Sequence, residues 1–165
     1  MPKQPIQGEV VKTIRFEGNS GYFGDIPDSM LRDAMEQRQS TSMWWLDPNS
    51  RAQTLDRKTL ARDAWRIETF YADNGYFDAR VRGWDVITLS KGNPEKKKPK
   101  VVEVVGHITE RKPSVVRRIE WEGLGSLKRN TRGKKKILQP FYTGLRKVSV
   151  IQEGDRFTVS ALRSV

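Results

Sequence analysis

The sequence predicts an α+β fold of the order β-α-α-β-β, in which a helix pair covers one face of a three-stranded mixed sheet. Alternating apolar residues mark the strands, and a segment between them repeats apolar residues every three to four positions, as helices do. The first strand pattern returns about 105 residues later, which indicates a tandem domain. We therefore expect a complete module over residues 9–112 and the truncated N-terminal half of a second over residues 113–165.

The chain begins with a polar, proline-containing segment, residues 1–8, which we interpret as a linker. The first strand follows, because Ile14 and Phe16 alternate with polar residues and Gly18 with Asn19 provides a turn. The N-terminus lacks the apolar core of a secretory signal peptide. No apolar run approaches the ~20 residues that span a bilayer as a helix.

Two helices are predicted before the second strand. The first begins near Asp25 or Asp28 and runs for about three turns, with Leu31 and Met35 spaced i, i+4.

The second helix carries one apolar stripe, with Asp56 as its N-cap and Gly75 as its left-handed C-cap. The stripe follows the spacing i, i+4, i+7, i+11 and consists of Leu60, Ala64, Ile67 and Tyr71.

A hairpin is predicted to close the module. Its first strand runs over residues 76–89, with a bulge at Gly83 and Trp84 where the alternation breaks. A charged turn over residues 92–100 leads to the last strand, residues 101–109. With the last strand central, the strand over 76–89 lies at an edge of the sheet.

The first strand pattern of residues 10–18 has a counterpart in residues 115–123, where Ile, an aromatic residue, Glu and Gly recur in the same order. A strand there and a helix around residues 128–142 would form the second module's first half.

These motifs together resemble POTRA domains, the polypeptide-transport-associated modules of outer-membrane assembly factors of the BamA and TamA kind and of two-partner secretion transporters. The resemblance is carried by Ile-Arg-Phe-Glu-Gly-Asn at residues 14–19, Phe-Tyr at 70–71 with Asn-Gly-Tyr at 74–76, and the restart at Ile119.

The resemblance implies a non-enzymatic, periplasmic segment of a cell outer-membrane protein, with the signal sequence and the C-terminal β-barrel absent from this chain. It further implies a role in protein transport, in which the module binds unfolded outer-membrane clients and accessory assembly proteins, partly by adding a strand to an exposed sheet edge.

The edge strand is the candidate client-binding element, because β-augmentation needs free main-chain N–H and C=O groups. Charged residues on such a strand can also guard it against aggregation, so a plain solvated edge is the alternative interpretation. The candidate residues are Tyr76, Phe77, Ala79, Arg80, Val81, Arg82, Trp84 and Val86.

Trp44 and Trp45 form a second candidate contact patch, for a partner protein or lipid headgroups. The competing expectation, which we favour, places at least one of them in the core.

Two lysine runs and a net charge of +11 allow contact with an anionic surface, either lipid or nucleic acid, although solvated loops usually carry such runs. The candidate anion-binding residues are Lys96, Lys97, Lys98, Lys100, Lys134, Lys135 and Lys136.

Catalytic and cofactor sites find little support. The chain has no cysteine and a single histidine, His107, in a predicted strand, so neither thiolate chemistry nor a histidine-rich metal site is expected. The glycine-rich turn at residues 18–24 lacks the spacing of a nucleotide-binding loop. We expect no cofactor.

Two alternatives remain open from the sequence. A basic nucleic-acid-binding domain would use the lysine runs. A POTRA module of a division or secretion apparatus would have the same fold without a barrel.

Overall fold

The structure, a computed structural model, describes residues 8–19, 26–46, 52–93, 95–96, 98–120, 144, 151–159 and 161. The chain divides into two compact units. One comprises Met1–Tyr71 with Asp78–Arg111, and the other comprises Ala72–Phe77 with Lys112–Val165.

The structure has the predicted element order. In chain order the elements are β1 (Glu9–Glu17), α1 (Asp28–Ala34), α2 (Arg57–Asp73), β2 (Arg80–Ser90) and β3 (Lys100–Thr109). The strands form one sheet of order β1-β3-β2, with β1 parallel and β2 antiparallel to the central β3. The mixed sheet and the edge position of β2 are therefore confirmed.

One register shift in β2 corrects the predicted bulge. The shift lies between Val81 and Gly83, so Arg82 has no direct partner on β3, and a second shift between Thr88 and Ser90 leaves Leu89 without one. We predicted the irregularity at Gly83 and Trp84, but Trp84 pairs directly with Gly106. The glycine thus follows the bulge instead of forming it.

Two aromatic rings meet over a glycine in the core. Phe16 of β1 and Trp84 of β2 pack edge to face with ring centroids 6.2 Å apart. Gly106 of β3 lies between them, and a Cβ there would approach Cζ3 of Trp84 to 2.7 Å and Cδ1 of Phe16 to 2.9 Å. The central strand therefore needs glycine at this position because the rings occupy the space of a side chain.

Helix α1 is shorter than predicted, with seven residues instead of about three turns. Its backbone becomes extended at Met35, with φ −80° and ψ 156°. The next two main-chain N–H groups, of Glu36 and Gln37, donate to the buried carboxylate of Asp63 at 2.8 and 2.9 Å. These two hydrogen bonds to Asp63 of α2 end helix α1 after Ala34.

Helix α2 has the predicted caps. Asp56 accepts hydrogen bonds from the N–H of Lys58 at 2.9 Å and from the hydroxyl of Thr59 at 2.8 Å, as an N-cap does. Gly75 has φ +88°, the left-handed conformation expected after a helix C-terminus. Leu60, Ile67 and Tyr71 of the predicted stripe are buried.

The predicted start of the second strand is wrong by four residues, because β2 begins at Arg80. Tyr76, Phe77 and Ala79 therefore do not belong to the edge strand, and Tyr76 and Ala79 are buried.

Contacts within the second unit explain this difference. The guanidinium of Arg156 lies 5.2 Å from the centroid of the Tyr76 ring, and the rings of Phe77 and Phe157 are 5.6 Å apart. The carbonyl of Gly75 accepts a 2.8 Å hydrogen bond from the N–H of Ser114. These residues are held by the second unit's chain instead of pairing in the sheet.

The predicted second-module strand appears, in the residues that the structure describes, as one antiparallel bridge between Val115 and Arg156. Its end beyond residue 120, the predicted helix at 128–142 and most of the linker over 1–8 lie outside the described residues. The boundary at residues 112 and 113 stays a prediction.

Candidate functional site

The sheet has two outer edges, and the edge of β1 is occupied. Its main chain is bonded by the segment that joins α1 to α2. The hydrogen bonds run from the Val11 N–H to the Gln53 carbonyl (2.8 Å), from the Ser40 N–H to the Val11 carbonyl (2.8 Å), from the Leu55 N–H to the Glu9 carbonyl (2.8 Å) and from the Ile14 N–H to Oε1 of Gln39 (3.1 Å). Arg32 of α1 also donates to the Ile14 carbonyl at 3.2 Å. This edge is therefore closed to a further strand.

The edge of β2 is open over most of its length. In the described part of the chain, the one hydrogen bond from another element to the outer side of β2 joins the Val81 N–H to Oε1 of Glu68 at 2.9 Å. From Gly83 to Thr88, β3 is the strand's one described main-chain partner, and Leu89 lies at a second register shift. Among the described residues, β2 is thus the edge whose main-chain groups, from Gly83 to Leu89, have no partner on the outer side.

The two ends of β2 differ in character. Arg80 and Arg82 are exposed near its start, and Nε of Arg82 donates to the Thr109 hydroxyl at 3.1 Å. Towards its end, Ile87 is 42% exposed and Leu89 is 48% exposed, and Val86 is half-buried. The start of β2 carries exposed charge, whereas its end carries exposed apolar side chains. This difference would favour the end of β2 as the site for an added strand.

Trp84 differs from the other candidate residues because its ring belongs to the core contact with Phe16. Its Nε1 is buried and has no hydrogen-bond partner among the described residues. The ring is half-buried and packs against Phe16, so Trp84 contributes to the packing across the sheet.

The opposite face of the sheet carries a charged ladder across all three strands. His107 of β3 lies with Nε2 2.8 Å from Asp85 of β2 and Nδ1 3.4 Å from Glu17 of β1. A hydrogen bond from Arg15 lowers the pKa of Glu17 below its ordinary value. Because the two ring nitrogens face different carboxylates, the ladder ties strands together and does not gather ligands around one point.

Trp44 and Trp45 lie in a turn, with their rings edge to face and their centroids 6.5 Å apart. Trp45 is 61% exposed and Trp44 is half-buried, so the expectation of a core tryptophan here is wrong. The N–H of Trp44 donates to Thr41 and that of Leu46 to Met43, which folds the segment back on itself and away from the core. The pair remains a candidate patch.

The lysine candidates are only partly brought together. Lys96 and Lys98 are exposed in the turn between β2 and β3, whereas Nζ of Lys100 contacts Oε1 of Glu9 at 2.5 Å. Lys97, Lys134, Lys135 and Lys136 lie outside the described residues.

Among the described residues, no three histidine or carboxylate side chains gather in a way that could hold a metal ion. No helix in the same residues is both long and apolar enough to cross a membrane.

Two features of the site were not anticipated. Residues 39–40 and 53–55 bond the β1 edge, and Glu68 covers the first position of the β2 edge. The pattern of a loop gives no information on which main-chain groups it bonds. From the sequence pattern alone, Glu68 is expected to be an ordinary solvent-exposed residue of α2.

Comparison with known proteins identifies a family and solved structures that are similar to this chain. The family model described as "POTRA: Surface antigen variable number repeat" matches residues 9–111. No curated protein matches the chain. The crystal structure of Haemophilus influenzae BamA POTRA3-5 is 21% identical with a TM-score of 0.46, and the match covers 94% of this chain and 50% of that one. The chain thus spans about half the length of that structure. Because the family model matches more than half of the sequence, the chain belongs to the POTRA family.

Proposed function

We propose that this chain is a periplasmic scaffold of an outer-membrane protein assembly or translocation factor, which binds unfolded client polypeptides by strand addition to β2. The observation that carries the proposal is the asymmetry of the sheet. The loop before α2 bonds the outer edge of β1, whereas no described residue bonds the outer main-chain groups of β2 from Gly83 to Leu89.

The length of the free segment suits weak, sequence-tolerant binding. Seven residues in a strand span roughly 23 Å, and about half of them direct their N–H and C=O groups outward. Each main-chain hydrogen bond contributes only about 0.5–1.5 kcal/mol net. A client strand would therefore pair reversibly, as a scaffold that passes clients onward requires.

The side chains near the open edge suit a client with alternating apolar residues. Ile87 and Leu89 offer exposed apolar surface, and main-chain pairing contributes affinity that does not depend on the client's sequence. Exposed Arg80 and Arg82 at the other end guard against edge-to-edge pairing between copies. Accessory assembly proteins would use other surfaces of the same module.

Photocrosslinking tests the proposal. A benzophenone amino acid placed at Ile87 or Leu89 should crosslink to a peptide of about 10 residues with alternating apolar and polar side chains, as in a barrel strand. The matched control is Lys12, an exposed residue of the occupied β1 edge. Crosslinks at Lys12 or Trp45 with none at residues 87 and 89 would remove the strand-addition mechanism.

A nucleic-acid-binding role is the competing proposal, and it can be tested on the same protein. Titration with duplex DNA at low salt should give no binding that depends on Lys96 and Lys98. Steeply salt-dependent binding that is abolished by neutralising those two residues would favour that role instead.

A further inference from the structure

The solvent face of α2 presents an exposed tryptophan between basic side chains. Trp65 is 69% exposed, more than any other large apolar side chain in the described part of the chain. Lys58, Ala61 and Arg62 are also exposed and precede it by seven, four and three positions. This spacing places all four on one side of the helix, opposite the buried Leu60 and Ile67.

Three of the four acidic groups of this helix and its cap make contacts of their own, and the fourth, Asp73, lies at the C-terminal end of the helix. Asp56 caps the helix N-terminus, and Asp63 is buried against the main chain of Glu36 and Gln37. Glu68 accepts the Val81 N–H. The exposed face between Lys58 and Trp65 is therefore left without a carboxylate.

The two cations on this face also lack ion-pair partners. Neither Lys58 nor Arg62 lies within salt-bridge distance of a carboxylate among the described residues, and Arg62 donates instead to the Thr59 hydroxyl at 3.1 Å. By contrast, Arg57 lies 3.5 Å from Glu9, and Arg66 contacts both Asp63 and Glu36. Asp56 acts on Arg62 only at longer range, so in the described part of the chain no carboxylate pairs directly with either cation beside Trp65.

We propose that this basic face of α2, formed by Lys58, Ala61, Arg62 and Trp65, docks an acidic segment of a partner protein whose apolar side chain covers Trp65. Tryptophan and arginine are enriched among the residues that dominate protein interfaces, and an exposed pair on a rigid helix is pre-organised for that role. Carboxylates of the partner would complement Lys58 and Arg62.

Other occupants fit this face less well. An interfacial membrane helix needs a broad apolar face, whereas Trp65 is the one large apolar side chain here. Single-stranded nucleic acid stacks successive bases on several aromatic rings, and this face supplies one. A second copy of the chain would bring another net charge of +11 against the same cations.

Selection from a displayed peptide library tests the docking face. The 165-residue chain is panned against random peptides of about 16 residues, and the enriched peptides are measured by fluorescence anisotropy. The enriched sequences should be acidic with at least one large apolar residue. Trp65→Ala and Arg62→Glu should each weaken their binding by about tenfold or more.

Two variants serve as matched controls. Trp45→Ala removes another exposed tryptophan, and Lys91→Glu reverses another exposed charge, so both should leave binding within about twofold of the original chain. Circular dichroism confirms that all four variants stay folded. Enriched peptides that are not acidic, or controls that weaken binding as much as the test variants, would overturn the proposal. The proposal would also be overturned if phosphatidylglycerol vesicles or single-stranded DNA bound in a way that requires Trp65, while the binding of acidic peptides did not require Trp65.

Discussion

The main-chain N–H of Val81 donates a 2.9 Å hydrogen bond to Oε1 of Glu68, so a helix carboxylate covers the first position of the free sheet edge. The register of β2 then shifts at Arg82, and the uncovered edge begins at Gly83. Under the proposed function, an added strand would therefore meet a defined starting point, set by one side chain and one bulge.

Replacing Glu68 by alanine should expose the N–H of Val81 and lower the free energy of unfolding by about 1–2 kcal/mol, because a charge-assisted hydrogen bond to a half-buried group is lost. Urea denaturation measures the loss, and amide exchange should accelerate at Val81. Glu95→Ala, in the exposed turn, is the control and should change neither quantity. Equal effects of the two variants would show that the Glu68 contact contributes nothing.

Gly106→Ala should destabilise the first unit by about 1–3 kcal/mol, because the new Cβ would lie 2.7 Å from the Trp84 ring and 2.9 Å from the Phe16 ring. Gly83→Ala is the matched control on the neighbouring strand, since a Cβ there meets nothing within 4 Å. It should stay within about 0.5 kcal/mol of the original chain. Thermal unfolding of both variants tests whether the packing of the two rings explains why residue 106 is a glycine.

Asp63→Ala should cost about 3–5 kcal/mol, since it leaves two main-chain N–H groups and the Arg66 guanidinium without their shared acceptor. Asp63→Asn keeps one acceptor oxygen and should fall between this variant and the original chain in chemical denaturation. Asp33→Ala removes an exposed carboxylate of α1 and should have little effect. Near-equal stability of Asp63→Ala and Asp33→Ala would contradict the structural role of Asp63.

Acid should remove the capping contribution of Asp56. The Thr59 hydroxyl, followed by the Lys58 N–H, lowers the pKa of Asp56 from its ordinary value of 3.8. Because the folded-state pKa is the lower one, the stabilisation is present above the unfolded-state value and is lost as pH falls through the folded-state value.

The stability advantage of the original chain over Asp56→Asn should therefore shrink as pH falls from about 5 to about 2, since asparagine caps without titrating. Melting temperatures across that range measure it. A difference that stays constant, or that grows towards low pH, would contradict the assigned cause.

The sequence predicted the features that depend on local pattern. Helix α2 with its Asp56 and Gly75 caps follows from periodicity and cap chemistry, and the pairing of β2 with β3 follows from the hairpin. Family membership followed from short motifs in the right order.

The differences arise where tertiary contacts override local preference. The sequence pattern predicts that Tyr76 and Phe77 begin a strand. In the structure they pack instead against Arg156 and Phe157, far along the chain. Helix α1 ends early because Asp63 takes the next two N–H groups. The periodicity of the sequence gives no information about such long-range partners.

The candidate site shows the same division. The edge position of β2 was predictable, whereas the closure of the β1 edge depends on hydrogen bonds from a loop of no recognisable pattern. That closure is what reduces two possible binding edges to one.

Amide hydrogen exchange of the chain with and without an alternating barrel-strand peptide tests strand addition to β2 most directly. New protection should appear over residues 83–89 and be absent along β1, whose edge is already bonded. Glu68→Ala should extend the protection to Val81. Protection confined to the tryptophan turn at residues 41–46 or to the lysine turn at 91–99, with residues 83–89 unchanged, would contradict β2 as the client-binding edge.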